Sequence, residues 1–221
     1  MRIRRSLASG FLLPFAAALL AACSSAPPAP PPQRVLQPPV MDLSTLGALG
    51  MLEFTSQGEV PLGSAAREQF MAALQAAQPG TPVLELGSVR DVLAEVGGTG
   101  LNPATIRKIG EKYQIDALLV GDVRSSEMRP SMSLQTLSNL ASLSAKVEIE
   151  GALSARILET KRGATVWATS STGRVPAGNL ALTTLGTGSL EAPQMDQSRL
   201  ELVKELVADA TVDFQPRWVT Q

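Results

Sequence analysis

The chain has 221 residues, 44% of them hydrophobic and 18% charged, with 19 Lys and Arg against 20 Asp and Glu. That length suits one domain and a tail, with enough apolar material for a core. It contains no histidine and a single cysteine, which excludes histidine general bases, histidine metal sites, Cys–His nucleophiles and intramolecular disulfides. A near-neutral balance supplies no clustered surplus of Lys and Arg to neutralise phosphates, so no nucleic-acid partner is expected. No cofactor is implied, and what remains is a protein that binds or assembles, not an enzyme.

Arg2, Arg4 and Arg5 open the chain, Phe11 to Ala22 is almost wholly apolar, and Leu20-Ala21-Ala22-Cys23 ends the run with small residues ahead of the cysteine. This is the pattern of a secretion signal, too short to span the bilayer core, which takes about 20 apolar residues. The four residues resemble the bacterial lipobox, in which cleavage leaves a cysteine that becomes the acylated N-terminus. The resemblance implies lipidation at Cys23. With Ser24 next and no Asp there, it also implies the periplasmic face of the outer membrane. Several acyl chains, at about 0.8 kcal/mol per buried CH₂, hold a protein on a membrane where one does not. Removing residues 1–22 takes three arginines and no acids, leaving 16 basic against 20 acidic residues and a formal charge of −4.

From Ser24 to Val40 the chain reads SSAPPAPPPQRVLQPPV. Proline fixes φ and donates no hydrogen bond, so residues 23–45 read as a semi-rigid tether of roughly 3.1 Å per residue, and the domain occupies 46–221. Leu49 to Phe54 reads as a buried strand and Gly58 to Gly63 as a loop. Ser64 caps a helix from Ala65 to Ala77 with Phe70, Met71 and Leu74 on its apolar stripe. Val83 to Leu86 is a second strand. Ser88 with Asp91 starts a helix through Val96 in a capping-box pattern, and Gly97, Gly98 and Gly100 end it. Asn102-Pro103 starts another, in which Ile106, Ile109, Gly110 and Tyr113 share a face. Ala117 to Val123 is a third strand, so βαβ crossovers and a partly parallel sheet are expected.

The second half changes period. From Ala145 to Leu158, Val147, Ile149, Leu153, Ala155 and Ile157 alternate with Lys146, Glu148, Glu150, Ser154 and Arg156, as on a half-exposed antiparallel strand. Glu159 to Gly163 turns the chain, and Ala164 to Thr172, with Trp167, returns as the hairpin partner. Gly173 to Pro193 reads as a loop. The last helix is placed at Asp196 to Thr211 with Leu200, Val203, Leu206, Val207 and Ala210 buried. The class is α/β, a mixed parallel and antiparallel sheet of about five strands with flanking helices.

Catalytic constellations are weak. Gly97-Gly98-Thr99-Gly100 lacks a following lysine and reads as a helix stop. Asp116 and Asp122 bracket a strand about 20 Å long, beyond the reach of an acid–base pair. Glu148 and Glu150 read as a solvated face with Lys146. Leu134, Leu137 and Leu140 recur every three residues, with Met128 and Met132 just before them, and make a candidate partner-binding segment. Trp167 and Trp218 are further candidates, since an aromatic ring offers contact area at low entropy cost.

Asp116-Ala117-Leu118-Leu119-Val120-Gly121-Asp122-Val123, followed later by Ala155-Arg156-Ile157-Leu158-Glu159-Thr160 with Gly163 and Val166-Trp167, resembles the envelope-lipoprotein superfamily. That superfamily includes the curli-secretion channel subunit and the outer-membrane activator of penicillin-binding proteins. The resemblance covers residues 48–218. It implies a membrane-anchored protein that binds and assembles or regulates an envelope machine such as a peptidoglycan synthase. The alternative it implies is a ring-forming homo-oligomer of the curli-channel kind. The candidate insertions, Met128 to Ser144 and Gly178 to Ala192, are each too short for a spanning hairpin of two strands of about 9–11 residues with its turn.

Overall fold

The computed structural model describes residues 34–57, 61–126, 129–131, 143–182 and 193–220. Leu36–Trp218 form one compact unit and the flanking ends a second, of which residues 34, 35, 219 and 220 are described. In chain order the elements are β1 (Arg34–Gln37), a 3-10 turn (Leu43–Leu46), β2 (Leu49–Leu52), β3 (Thr55–Gln57), α1 (Gly63–Ala77), β4 (Val83–Gly87), α2 (Val89–Val96) and α3 (Pro103–Tyr113). There follow β5 (Ala117–Ser125), β6 (Arg129–Ser131), β7 (Leu143–Glu159), β8 (Ala164–Leu182), α4 (Pro193–Ala210), a second 3-10 turn (Val212–Phe214) and β9 (Arg217–Thr220).

Seven strands form the main sheet in the order β4-β2-β5-β7-β6, with β3 beside β5 and β8 beside β7; β1 and β9 pair in a ribbon of their own. The two strands beyond the expected five are β3 and β6, three residues each and too short to show a period. β2 runs parallel to β4 and β5, so the chain crosses over through α1 and then through α2 and α3. β5, β7 and β8 are antiparallel neighbours.

Local chemistry sets most helix ends. The Ser88 hydroxyl accepts the Asp91 N–H at 3.2 Å and donates to its carboxylate at 2.7 Å, closing one end of α2, and Gly97 ends the helix in the left-handed region at φ +64°. Asn102 Oδ1 accepts the N–H groups of Ala104 and Thr105 at 3.1 and 3.0 Å, ahead of Pro103. α1 departs from expectation. It starts at Gly63 with Leu62 as its N-cap, and the Leu62 N–H is bound by Ser56 Oγ at 3.0 Å, so Ser64 lies inside the first turn.

Alternation along the strands divides the core between the two sheet faces. Leu49, Met51, Leu119, Leu153 and Ile157 pack with Phe70 and Leu74 of α1 and Leu206 of α4, while Leu52, Leu118, Val120 and Leu158 pack with Val92, Ile106 and Ile109 of α2 and α3. Two expectations change. β8 continues through the Gly- and Thr-rich stretch to Leu182 because its pairing with β7 runs on as far as Leu143. In α4 the inward residue is Leu202, 1% exposed, whereas Leu200 is 54% exposed. Leu202 enters the space left by Gly151 and Gly173 on the sheet beneath.

Candidate functional site

The sheet face that carries Leu118, Val120 and Leu158 is apolar only along the part covered by α2 and α3. Farther along the same face come Asp122 and Arg124 on β5, Glu150 and Ser154 on β7, and Thr172 and Arg174 on β8, all exposed or half-buried. Here an open groove of about 710 Å³ is lined by Arg124, Ser126, Glu150, Ala152, Thr172 and Arg174 among others.

Its side chains are tied to one another. Ser154 Oγ donates to Asp122 Oδ1 at 2.5 Å, and Arg124 Nε lies 3.3 Å from Asp122 Oδ2. Arg174 Nε approaches Glu148 Oε2 at 3.5 Å while its Nη2 is bound to Glu150 Oε1. Ser126 Oγ donates to the Glu150 carbonyl at 3.2 Å and accepts the Glu150 N–H at 3.3 Å. Each of these carboxylates is held by a cation or a hydroxyl.

Glu148 and Glu150 read from the sequence as part of a solvated face; in the structure both are partly exposed and paired with Arg174, which sits opposite Glu150 in the β7–β8 register. Counting rungs outward from the Gly163 turn puts Gly173 opposite Glu150; a register shift between Ile157 and Leu158 brings Arg174 into that place. Asp116 and Asp122 have separate partners: Asp116 Oδ2 accepts the Ala48 N–H at 3.2 Å, and its Oδ1 lies 3.8 Å from Lys161 Nζ. Among the described residues no three Asp, Glu or Cys side chains converge as a metal cage, and no helix is long and apolar enough to cross a membrane.

Cys23, Leu134, Leu137 and Leu140 lie outside the described residues, as do Met128 and Met132. The two tryptophans are not brought together. Trp167 is 8% exposed, its ring 4.6 Å from that of Phe214 and 6.4 Å from that of Phe70, and its Nε1–H donates to Asp213 Oδ2 at 3.2 Å. Trp218, on β9, is 66% exposed.

One further pair of groups is shifted. Glu95, at the end of α2, accepts from Lys112 Nζ at 2.6 Å and from the Tyr113 hydroxyl at 2.8 Å, both on α3. The Lys112 hydrogen bond holds the carboxyl below its usual range, helped by Tyr113 and by the charge of Lys112. Desolvation, then the hydrogen bond to Glu95, pushes the Tyr113 phenol up. This clip fastens α2 to α3.

No protein-family model and no curated protein matches the chain. Among solved structures it is similar to a single-residue variant of the PelC dodecamer from Paraburkholderia phytofirmans, 14% identical, covering 84% of this chain and 99% of that one at a TM-score of 0.42. It is similar also to a neuraminyllactose-binding hemagglutinin homologue from Helicobacter pylori, 9% identical over 79% and 86% of the two chains at 0.47. A third is lipoprotein GNA1162 from Neisseria meningitidis, 13% identical over 74% and 99% at 0.37. With every score below 0.5, no family or activity passes from them to this chain.

Proposed function

We propose that this chain is an outer-membrane lipoprotein, held by acylated Cys23 and a proline-rich tether, whose periplasmic domain docks an envelope protein and assembles or regulates its machine. Activation of a peptidoglycan synthase is the leading case, and the domain's work is binding without a reaction of its own. The observation that carries this reading is an arm built from β7 and β8. Past Gly151, the last rung with β5, Leu143–Glu150 of β7 stay paired with β8 for about 27 Å at 3.4 Å per residue. Ordering these residues costs conformational entropy, and beyond Ile149 and Val175, which pack in the core, the arm runs on past the last rung with β5, so its use is to present a surface. β6 pairs β7 midway along the arm, Arg129 with Glu148 and Ser131 with Lys146, and Leu182 pairs Leu143 at its end. The polar groove lies at the arm's base.

The second reading, a ring-forming subunit of a curli-type secretion channel, draws on the same arm and on the outer edge of β8, which pairs with no further strand among the described residues. Identical copies that join through two different patches close into rings when the rotation between neighbours closes. Light scattering on the full lipoprotein in mild detergent separates the two. A monomer that crosslinks to and stimulates a peptidoglycan synthase is the expected result. A discrete ring of many subunits overturns it in favour of the channel, and a monomer that leaves every synthase unbound removes the synthase as partner.

A further inference from the structure

We infer that the β1–β9 ribbon is a second membrane contact, lying on an anionic phospholipid surface beside the lipid anchor; the inference rests on acylation of Cys23. Leu36 of β1 is 49% exposed, Val40 just beyond it 65%, and Trp218 of β9 66%. Large apolar side chains elsewhere in the unit are mostly buried in the two halves of the core, so three outward-facing ones on two short neighbouring segments call for an apolar or half-apolar environment. An indole, with an apolar body and a polar N–H, settles at the boundary between headgroups and acyl chains.

Charge selects the kind of surface. Arg217 adjoins Trp218, and no Asp or Glu occurs from Cys23 to Met41 or from Phe214 to Gln221, although the chain without residues 1–22 carries a formal −4. The nearest acids are engaged. Asp42 Oδ1 accepts the Ser44 N–H at 3.0 Å and its hydroxyl at 2.6 Å, and Asp213 Oδ2 accepts the Trp167 indole N–H at 3.2 Å. An apolar strip with one arginine beside its tryptophan and no acid, on an acidic protein, is complementary to anionic headgroups.

Chain length brings the strip within reach. Thirteen residues separate Cys23 from Leu36, at most about 47 Å at roughly 3.6 Å per residue, so anchoring at Cys23 holds the strip at high effective concentration near the bilayer. Its base is fixed. The Met41 N–H donates to the Asp213 carbonyl at 3.1 Å, and the Gln78 amide binds the carbonyls of Met41 and Phe214 at 2.6 and 3.1 Å.

Trp167 and Trp218 are the two tryptophans of the chain, which makes fluorescence a direct test. Full lipoprotein is reconstituted into phosphatidylethanolamine–phosphatidylglycerol vesicles whose acyl chains carry bromine. Emission of Trp218 is taken from Trp167→Phe and, because that core substitution can unfold the protein, independently from the difference between wild type and Trp218→Phe. The expected result is loss of most Trp218 emission to the brominated lipid, little loss to aqueous iodide, and recovery of emission in Arg217→Glu. Trp218 open to iodide and untouched by brominated lipid overturns the inference, as does Trp218 shielded from both quenchers, which would mean a protein covers it. Mass spectrometry of the same sample separates the two readings. An unacylated Cys23 sinks the anchor and this inference with it, whereas an acylated chain with unquenched Trp218 sinks this inference alone.

Discussion

Gln78, at the C-terminal end of α1, joins three distant pieces of chain with one amide. Its Oε1 accepts the Leu43 N–H at 2.7 Å while its Nε2 donates to Met41 and Phe214. Gln78→Leu keeps the bulk and strands a donor and two acceptors in a half-buried place, so it is expected to lower stability by about 1–3 kcal/mol, seen as a lower urea midpoint at unchanged slope. Tyr113 is the single tyrosine, so phenolate absorbance titrates it alone. Its midpoint is expected above the ordinary tyrosine value of about 10, and Glu95→Gln is expected to bring it part of the way back, since desolvation remains. For stability the signs are opposite. The raised phenol contributes below the ordinary tyrosine range and its contribution is lost as pH rises through the folded value. The lowered Glu95 contributes above the ordinary glutamate range and its contribution is lost as pH falls through the folded value. Caps such as Ser88 and Asn102 are legible in the sequence because their partners lie within three residues. Gln78 carries no such signal, its partners lying 35 to 136 residues away.

Among the elements, α4 shows where periodicity misplaces a residue. Leu200 and Leu202 are alike in sequence, and the inward one is chosen by the sheet, where Gly151 and Gly173 vacate room for Leu202. Leu202→Ala is expected to cost about 2–5 kcal/mol and Leu200→Ala under about 0.5 kcal/mol, a contrast that chemical denaturation of the two variants measures. β8 makes the same point for strands. Its stretch Gly173–Leu182 holds Gly, Pro and Asn, which favour loops, yet pairing with β7 overrides composition. β2 and β4 are legible because each is short and lies just after a glycine or proline, and β5 because it opens on an unbroken apolar run; the arm is not, because its strand character comes from its partner. Of the candidate site residues, nothing local distinguishes Trp167 from Trp218. What separates them is Phe70 and Phe214, brought in from distant elements to enclose the first.

At the level of the whole molecule, a sheet sandwiched over part of its length and bare over the rest implies graded protection. Amides of Leu118–Val120 lie between two packed layers and are expected to exchange with deuterium only on global unfolding. Those of Leu143–Val147 lie past the last β5 rung and beyond Ile149, which is buried in the core, and are expected to exchange through local opening. Slowing of the arm's exchange by a bound envelope protein, with the core unchanged, is the expected signature of docking there. Uniform slowing would place the partner elsewhere.

The stitching of Met41, Asp213 and Phe214 through Gln78 also has a mechanical side. Tension on a membrane tether would meet the short β1–β9 ribbon first and then, at Met41, a few hydrogen bonds in a cluster instead of the long rows of rungs of the main sheet. The ribbon and the cluster hold by far fewer bonds than the seven-stranded sheet, so under load the leading segment through Met41 is expected to peel away first and lengthen the leash while the sheet stays whole.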